Sequence, residues 1–217
     1  MTGYGYHGLN KIDREIARYL PKTGGYFIEL GANNGIKQSN TLYFEKYLNY
    51  RGLLIEPHKR TFLECVSNRS HLNDFKNVAC VGFDFQETFV NLIYSGLMTT
   101  PIDGKSDISD KWAHAQSGAT FLGTEQVDIF QAKAATLDSI LKEVNAPKRI
   151  QLFSLDVEGG EIEVLSGINF GDFEFEIICI ETRSPKVLNE FLMNKGYKLK
   201  KKISHHDYLY VPIVEFK

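Results

Sequence analysis

The chain has 217 residues, of which 43% are hydrophobic and 24% are charged, and its formal net charge is −2. This composition is typical of one soluble domain, residues 1–217, and gives no general electrostatic attraction to nucleic acid. The three cysteines are widely spaced in apolar segments, which favours reduced thiols. No apolar run reaches the length of a membrane span, and the N-terminus lacks a signal-peptide pattern. We therefore expect a cytoplasmic protein that does not act at membranes.

The first 22 residues predict an N-terminal arm followed by a short helix. Residues 1–10 are rich in glycine and tyrosine and predict no regular element. From Lys11 to Leu20, isoleucines at positions 12 and 16 recur at helical spacing. The arm could close over a bound ligand or remain a frayed terminus, and the sequence leaves both interpretations open.

The next stretch predicts a strand, a glycine-bearing turn, a helix and a second strand. Tyr26–Leu30 is a short apolar run that ends in Gly31-Ala32-Asn33-Asn34-Gly35, whose glycines and asparagines tolerate positive φ. Gly52–Ile55 reads as a second buried strand and ends in Glu56. This order is typical of a β-α-β unit that binds a nucleoside.

Two acids in this unit indicate which nucleoside it binds. In an open parallel sheet, ligands lie beyond the carboxyl ends of the strands, where Glu56 is placed to bind ribose hydroxyls. Glu29 lies inside the first strand, and its charge would disfavour a pyrophosphate at the turn. The same charge would favour a cationic tail such as the methionine part of S-adenosylmethionine. The unit therefore predicts a methyltransferase ahead of a dinucleotide enzyme or a structural β-α-β.

The middle of the chain predicts a third strand, an extension and a long insertion. Phe75–Val81 reads as the third strand, with Asn77 either reading adenine through its amide or serving as a turn residue. Thr88–Tyr94 predicts a further strand that extends the third. Residues Ser95–Thr124 show no helical or strand-like periodicity of apolar residues. We therefore predict a structureless insertion on the substrate side, at about 95–130.

The second half of the chain brings further acids to the same sheet edge. Thr136 caps a predicted helix, and the buried strand Arg149–Leu155 ends in Asp156-Val157-Glu158-Gly159-Gly160-Glu161. Some of these acids could have no role beyond capping the next helix. Asp156 precedes that helix, however, and is predicted at the mouth of the ligand-binding cleft. Another strand, Phe173–Ile180, delivers Glu181 to this edge. His206 lies in the last hairpin turn, which is either on the ligand face or an ordinary polar turn.

Several segments together resemble a known family. They are Glu29-Leu30-Gly31-Ala32-Asn33-Asn34-Gly35, Ser39-Asn40-Thr41, Gly52-Leu53-Leu54-Ile55-Glu56-Pro57, Asn77-Val78-Ala79, Thr136-Leu137-Asp138 and Asp156-Val157-Glu158-Gly159. In this order, from Tyr26 to Val211, they resemble the FkbM family of S-adenosylmethionine-dependent methyltransferases. The resemblance implies an α/β fold of class I (Rossmann-like), with a seven-stranded, mostly parallel sheet, helices on both faces and an antiparallel last strand. It also implies O-methylation of a hydroxyl, often on a sugar or glycoconjugate.

The resemblance also implies roles for individual residues. The predicted cofactor-binding residues are Glu29, Gly31, Asn33 and Gly35 at the methionine end, Glu56 at the ribose, Asn77 near adenine, and Glu158, which with Asp156 and Glu181 would line the reaction mouth. The chemistry of methyl transfer to a hydroxyl, rather than the resemblance, calls for one base, and the predicted catalytic residues are Asp156 as the first candidate for it, His206 as the second, and Glu181. Asp156, Glu181 and Asp207 could instead hold Mg²⁺ or Ca²⁺.

Two other functions remain open at this point. A nicotinamide oxidoreductase would need a Gly-x-Gly-x-x-Gly turn, which this sequence lacks. A non-catalytic nucleoside-binding or scaffolding module could keep the same sheet and pocket. We expect a small-molecule or saccharide acceptor and no nucleic acid as partner, while the acceptor's identity and the oligomeric state do not follow from the sequence.

Overall fold

The computed structural model describes residues 5–121, 123 and 127–214. The predictions for residues 1–4 of the arm and for the end of the insertion, at 122 and 124–126, lie outside the described residues. The strands are β1 Gly25–Leu30, β2 Tyr50–Ile55, β3 Asp74–Lys76, β4 Ala79–Val81, β5 Phe89–Tyr94, β6 Thr100–Pro101, β7 Asp128–Thr136, β8 Arg149–Leu155, β9 Glu174–Glu181, β10 Tyr197–Lys202 and β11 Asp207–Pro212. The α-helices are α1 Ile12–Ile16, α2 Leu42–Leu48, α3 Lys59–Asn68, α4 Lys111–Phe121, α5 Leu137–Glu143, α6 Glu161–Leu165 and α7 Pro185–Asn194.

Seven strands form the central sheet in the order β10-β11-β9-β8-β1-β2-β3. The pairs among β3, β2, β1, β8 and β9 are parallel, whereas β11 is antiparallel to both β9 and β10. The predicted α/β architecture, with a mostly parallel sheet and an antiparallel last strand, is confirmed. Because β10 therefore runs parallel to β9, the turn after β10 lies at the carboxyl edge of the sheet.

Alternate residues of each central strand pack into two separate cores, one on each face of the sheet. Ile28 of β1 belongs to the core that contains apolar residues of α5, α6 and α7. Its neighbour Phe27 belongs to the core that contains residues of α1, α2 and α3. The helices therefore cover both faces, and the carboxyl edge of the sheet is left open for a ligand.

The structure corrects two predictions in the middle of the chain. The predicted third strand Phe75–Val81 is broken at Asn77, so β3 joins the central sheet while β4 joins a second sheet of order β4-β7-β5-β6. The insertion is not structureless, because it contains β6, α4 and a 3-10 turn at Gly96–Met98. α4 has no apolar periodicity because the residues that it buries are small, namely Ala115, Gly118 and Ala119. β7 was not predicted because its buried residue is also small, Ala132, so the strand shows no alternation of large apolar and polar side chains.

The described part of the N-terminal arm packs against the first turn and α2. Gly8 bridges to Gln38 beside the first turn, and the Tyr6 ring stacks on Tyr43 with ring centroids 4.6 Å apart. The predicted helix is confirmed over Ile12–Ile16 and follows a 3-10 turn at Leu9–Lys11. None of the helices in the described part of the chain is both long and apolar enough to cross a membrane.

Candidate active site

A cavity of about 510 Å³ opens at the carboxyl ends of β1, β2, β8 and β9, beneath the insertion. This volume lies within the usual range for small-molecule sites. Among the predicted site residues, Glu29, Gly31, Asn33, Glu56, Asp156, Glu158 and Glu181 line it. Gly35, Asn77 and His206 do not belong to its lining. The sheet therefore brings seven of the ten predicted residues to one cavity.

The turn after β1 packs directly against the end of β8. Gly31 has φ +82°, and a Cβ added there would lie 1.8 Å from the carbonyl oxygen of Asp156. The N–H groups of Gly31 and Ala32 both donate to the Ile55 carbonyl oxygen, at 3.1 and 3.0 Å. Glycine is therefore required at position 31 for both its backbone angle and this close approach.

The carboxylate of Glu29 is buried and holds the loop that precedes α2. It accepts hydrogen bonds from the hydroxyls of Ser39 (2.9 Å) and Thr41 (2.7 Å) and from the Asn40 N–H (2.8 Å). It also forms an ion pair with Arg69, Nη1 to Oε2 at 2.9 Å. Although Glu29 lines the cavity, most of its bonding capacity is used within the protein.

Arg69, at the end of α3, was missed by sequence reasoning and is fully buried. Its guanidinium donates to Glu29, to Glu45 (2.8 Å) and to the Gly35 carbonyl oxygen (3.2 Å). A Cβ at Gly35 would lie 2.7 Å from Arg69 Cγ, so this glycine makes room for the arginine. The signal that could have identified Arg69 is physical, since a buried carboxylate such as Glu29 needs a cation.

Glu56 is held at the end of β2 by three hydrogen bonds. Its carboxylate accepts from the N–H groups of Asn33 and His58, each at 2.8 Å, and from the Thr61 hydroxyl at 3.1 Å. Burial raises the pKa of Glu56 to about 7. Asn77 lies behind this segment, where its Nδ2 donates to the carbonyl oxygen of Glu56 at 2.8 Å.

Two buried oxygens on the cavity wall have no hydrogen-bond partner among the described residues. They are Oδ1 of Asn40 and Oδ1 of Asp156. The other end of the Asn40 amide is fixed, because its Nδ2 donates to the Ser154 hydroxyl at 3.1 Å. Buried polar atoms are almost always bonded, so free acceptors in two residues that line the cavity favour a ligand that donates hydrogen bonds or carries positive charge.

Three carboxylates meet where the loop after β8 and the end of β9 line the cavity. Asp156, Glu158 and Glu181 each place an oxygen within 4.8 Å of the other two. Burial, followed by the charges of Glu181 and Glu158, raises the pKa of Asp156 well above its ordinary value. Burial and then Glu158 raise the pKa of Glu181 to about 7. Nη2 of Arg183 lies 3.0 Å from Glu158 Oε2 and 3.6 Å from Glu181 Oε1, so its guanidinium faces both carboxylates.

The insertion is attached to this acidic group. Oδ2 of Asp107 accepts hydrogen bonds from the Arg183 N–H (2.8 Å) and the Ser184 N–H (3.0 Å), at the end of β9. His114 of α4 places Nε2 2.9 Å from Oε2 of Glu158. Glu158 itself has the unusual φ of +53°, and its carbonyl oxygen accepts from the Thr100 hydroxyl at 2.7 Å. Sequence reasoning gave no role to Asp107 or His114, because nothing in the order of residues shows what the insertion touches.

His206 and Asp207 lie at the carboxyl edge but are engaged within their own turn. The His206 carbonyl oxygen accepts from the Thr182 N–H at 2.9 Å, and its ring Nε2 lies 3.0 Å from Nδ1 of His205. Asp207 accepts hydrogen bonds from the Ser204 hydroxyl. Asp207 is not a member of the acidic group, so the cation ligands suggested by the sequence are corrected from Asp156, Glu181 and Asp207 to Asp156, Glu158 and Glu181.

Comparison with known proteins identifies a family. Residues 29–208, well over half of the chain, match the model of the methyltransferase FkbM domain. None of the curated proteins matches the chain.

Solved structures that are similar to this chain include three methyltransferases. A precorrin-6y C5,15-methyltransferase from Geobacter metallireducens is 10% identical, with a TM-score of 0.46, covering 93% of this chain and 87% of that chain. TrmK of M. capricolum in complex with S-adenosyl-homocysteine is 10% identical, with a TM-score of 0.45 and coverage of 94% and 68%. A ribosomal protein L11 methylase from Lactobacillus delbrueckii subsp. bulgaricus is 10% identical, with a TM-score of 0.38 and coverage of 96% and 78%. Likenesses at this level do not bear on the substrate of this chain.

Proposed function

This chain belongs to the FkbM methyltransferase family, and on that premise we propose that it is an S-adenosylmethionine-dependent O-methyltransferase. Its proposed acceptor is a hydroxyl of a sugar, a glycoconjugate or a related small molecule. The observation that carries the proposal is the pair of buried, unpartnered oxygens, Asn40 Oδ1 and Asp156 Oδ1, on the wall of one cavity.

We propose that Asn40 Oδ1 binds the cationic end of the cofactor, whereas Asp156 Oδ1 is left for the acceptor hydroxyl. S-adenosylmethionine carries an ammonium group and a sulfonium, and both are stabilised by acceptor oxygens in a buried site. Asn40 would hold the methionine end together with the backbone of the turn at Gly31. Glu29 supports this part of the wall by fixing the loop that carries Asn40. The predicted role of Glu29 thus becomes, in our proposal, that of a positioning residue.

The other end of the cavity fits an adenosine. Glu56 lines the cavity at the end of β2, and its carboxylate is oriented by the N–H groups of Asn33 and His58. We propose that it binds the ribose hydroxyls. Val78 and Pro57 provide apolar wall beside it. Asn77 fixes the backbone of Glu56 and Pro57, so we propose that it shapes this end from behind.

When bound, the cofactor supplies a methyl group activated by a sulfonium. The protein then has to align the acceptor oxygen with that group and remove one proton. Alignment of reactants accounts for much of the acceleration in such reactions. Asp156 lines the cavity with a buried, unpartnered oxygen, and we propose that this oxygen accepts the hydroxyl proton. Because burial and neighbouring acids raise its pKa, Asp156 is a stronger base than an exposed aspartate.

The acceptor side of the cavity supports a polyhydroxylated substrate. Glu158 and Glu181 offer acceptor oxygens, and Arg183 offers N–H donors, which together match the pattern of hydroxyls on a sugar. Phe121 also lines the cavity and is 87% exposed, so its ring can pack on the apolar face of a saccharide. The same carboxylates would repel the phosphates of a nucleic acid.

Calorimetric titration with S-adenosylhomocysteine and with NAD tests the cofactor. We expect binding of the sulfur nucleoside alone. Asn40→Leu should weaken it about tenfold or more, because it removes a hydrogen bond to a charged group, whereas Asn40→Asp keeps an acceptor oxygen and should bind well. Glu56→Ala should also weaken it. Preferential binding of NAD would contradict the proposal.

Turnover is tested by transfer of a labelled methyl group to a panel of saccharides. Asp156→Asn should retain cofactor affinity and lose about 100-fold or more in kcat, as expected for loss of a general base. Cofactor binding without transfer to any hydroxyl-bearing acceptor would favour a non-catalytic binding module.

A further inference from the structure

We propose that Asp156, Glu158 and Glu181 bind one divalent cation at the acceptor side of the cavity. The cation would be of the class that prefers oxygen ligands, namely Mg²⁺, Ca²⁺ or Mn²⁺. Its binding stands on the geometry of these residues, and its role in methyl transfer rests on the proposed function.

The spacing of the three carboxylates matches the diameter of a coordination shell. One oxygen from each residue lies within 4.8 Å of the other two. Ligands that bind a cation at 2.3–2.6 Å are at most about 5 Å apart. The three side chains therefore converge closely enough to share one ion. They come from the loop after β8 and the end of β9, both of which are anchored in the central sheet.

The local charge also favours a divalent ion. Three carboxylates face one guanidinium, that of Arg183, which lies 3.0 Å from Glu158 and 3.6 Å from Glu181. When all three acids are ionised, the group has an excess of two negative charges in a largely buried place. A divalent cation balances this excess.

One atom outside the acidic group, Nε2 of His114, provides an observation that is independent of the acidic spacing. The His114 side chain is only 10% exposed, and its Nε2 points at the group, 2.9 Å from Glu158 Oε2, without forming a hydrogen bond. Oδ1 of Asp156 is also buried without a partner. Arg183 and His114 both approach Oε2 of Glu158, which leaves Oε1 for the cation. A nearby imidazole adds a donor that Mn²⁺ accepts more readily than Mg²⁺ or Ca²⁺.

The cation would act on the acceptor hydroxyl. Coordination to a divalent ion lowers the pKa of a bound oxygen. Because a carboxylate has two oxygens, Asp156 can bind the ion through one and accept the hydroxyl proton at the other. The acceptor oxygen then bonds to the methyl carbon, and the electron pair of the carbon–sulfur bond leaves with sulfur. Atoms and charge balance without an oxidant or reductant.

The test uses Mn²⁺ alone, without cofactor or acceptor. Chelator-treated full-length protein is titrated with Mn²⁺, and free Mn²⁺ is measured by electron paramagnetic resonance. We expect one ion per chain. Glu158→Gln and Asp156→Asn should each weaken binding about tenfold or more, and His114→Gln should weaken it by about tenfold. Glu190→Gln on the exposed face of α7 is the matched charge control and should bind like the wild type.

Each result decides the inference. Absence of Mn²⁺ binding up to millimolar concentration, or equal binding by the wild type and the two carboxylate variants, would overturn it. These variants relieve repulsion between like charges, so we expect them to fold, and circular dichroism verifies this. A parallel titration with S-adenosylhomocysteine separates the two proposals. If that nucleoside binds and Mn²⁺ does not, the cation site fails while the proposed function stands. If Mn²⁺ binds and the nucleoside does not, the proposed function fails while the cation site stands.

Discussion

Replacement of the buried Arg69 should lower the free energy of unfolding by more than replacement of an exposed residue. Arg69 forms ion pairs with Glu29 at 2.9 Å and with Glu45 at 2.8 Å, and all three side chains are at most 10% exposed. Arg69→Met keeps the length of the side chain but leaves both carboxylates without their cation. Loss of one partner from a buried ion pair costs about 3–5 kcal/mol of unfolding free energy.

We expect a loss in this range for Arg69→Met, because the hydroxyls of Ser39 and Thr41 still bond to Glu29 and partly compensate. Adding Glu29→Gln to Arg69→Met should recover at least about 1 kcal/mol, since it removes one of the uncompensated charges. Urea unfolding at pH 7, followed by far-ultraviolet circular dichroism, measures these differences.

Arg14→Met on the exposed face of α1 is the matched control and should change stability by less than about 0.5 kcal/mol. A loss below about 1 kcal/mol for Arg69→Met, or no recovery in the double variant, would refute the view that Arg69 neutralises this site.

Three further predictions concern pH and the insertion. Burial raises the pKa of Glu161 from 4.5 to about 8, so the folded state keeps this proton and loses stability as the pH rises from about 4.5 towards 8. Glu161→Gln should remove that loss, which is at most about 5 kcal/mol at about 1.4 kcal/mol per pKa unit. Equal urea midpoints for the variant and the wild type at pH 8 would contradict this. Asp107→Ala leaves the Arg183 N–H and the Thr182 hydroxyl without their acceptor and should cost about 1–3 kcal/mol, measured by urea unfolding. Gly118→Ala would place a Cβ 2.8 Å from Met98 Cβ, so steady-state kinetics should show a raised KM for the acceptor, with cofactor affinity less affected.

The sequence was sufficient to predict the central sheet because its strands are continuous apolar runs that end in polar residues. Arg149–Leu155, followed by Asp156, is one such run, and the observed β8 has these bounds. Parallel strands place their carboxyl ends at one edge, so acids distant in sequence, such as Glu56 and Glu181, could be assigned to one cavity.

The remaining features depend on contacts that no local pattern records. Arg69 lies at the end of a helix like many surface arginines, and only the fold shows that it neutralises Glu29. α4 packs through alanines and a glycine, so its buried face has no apolar signature. The amide of Asn77 has the donor and acceptor groups that could bind adenine, but its Nδ2 donates to the carbonyl oxygens of Glu56 and Pro57.

The contact between Gly31 and the Asp156 carbonyl oxygen has a consequence for how this enzyme could change over evolution. The contact joins two main chains, which leave no room for a Cβ between them. The separation between the turn at Gly31 and Asp156 is therefore set by the scaffold and is insensitive to exchange of nearby side chains. Under the proposed function, a change of acceptor would be accommodated by altering the insertion, while the separation between the cofactor and the proposed base is inherited unchanged.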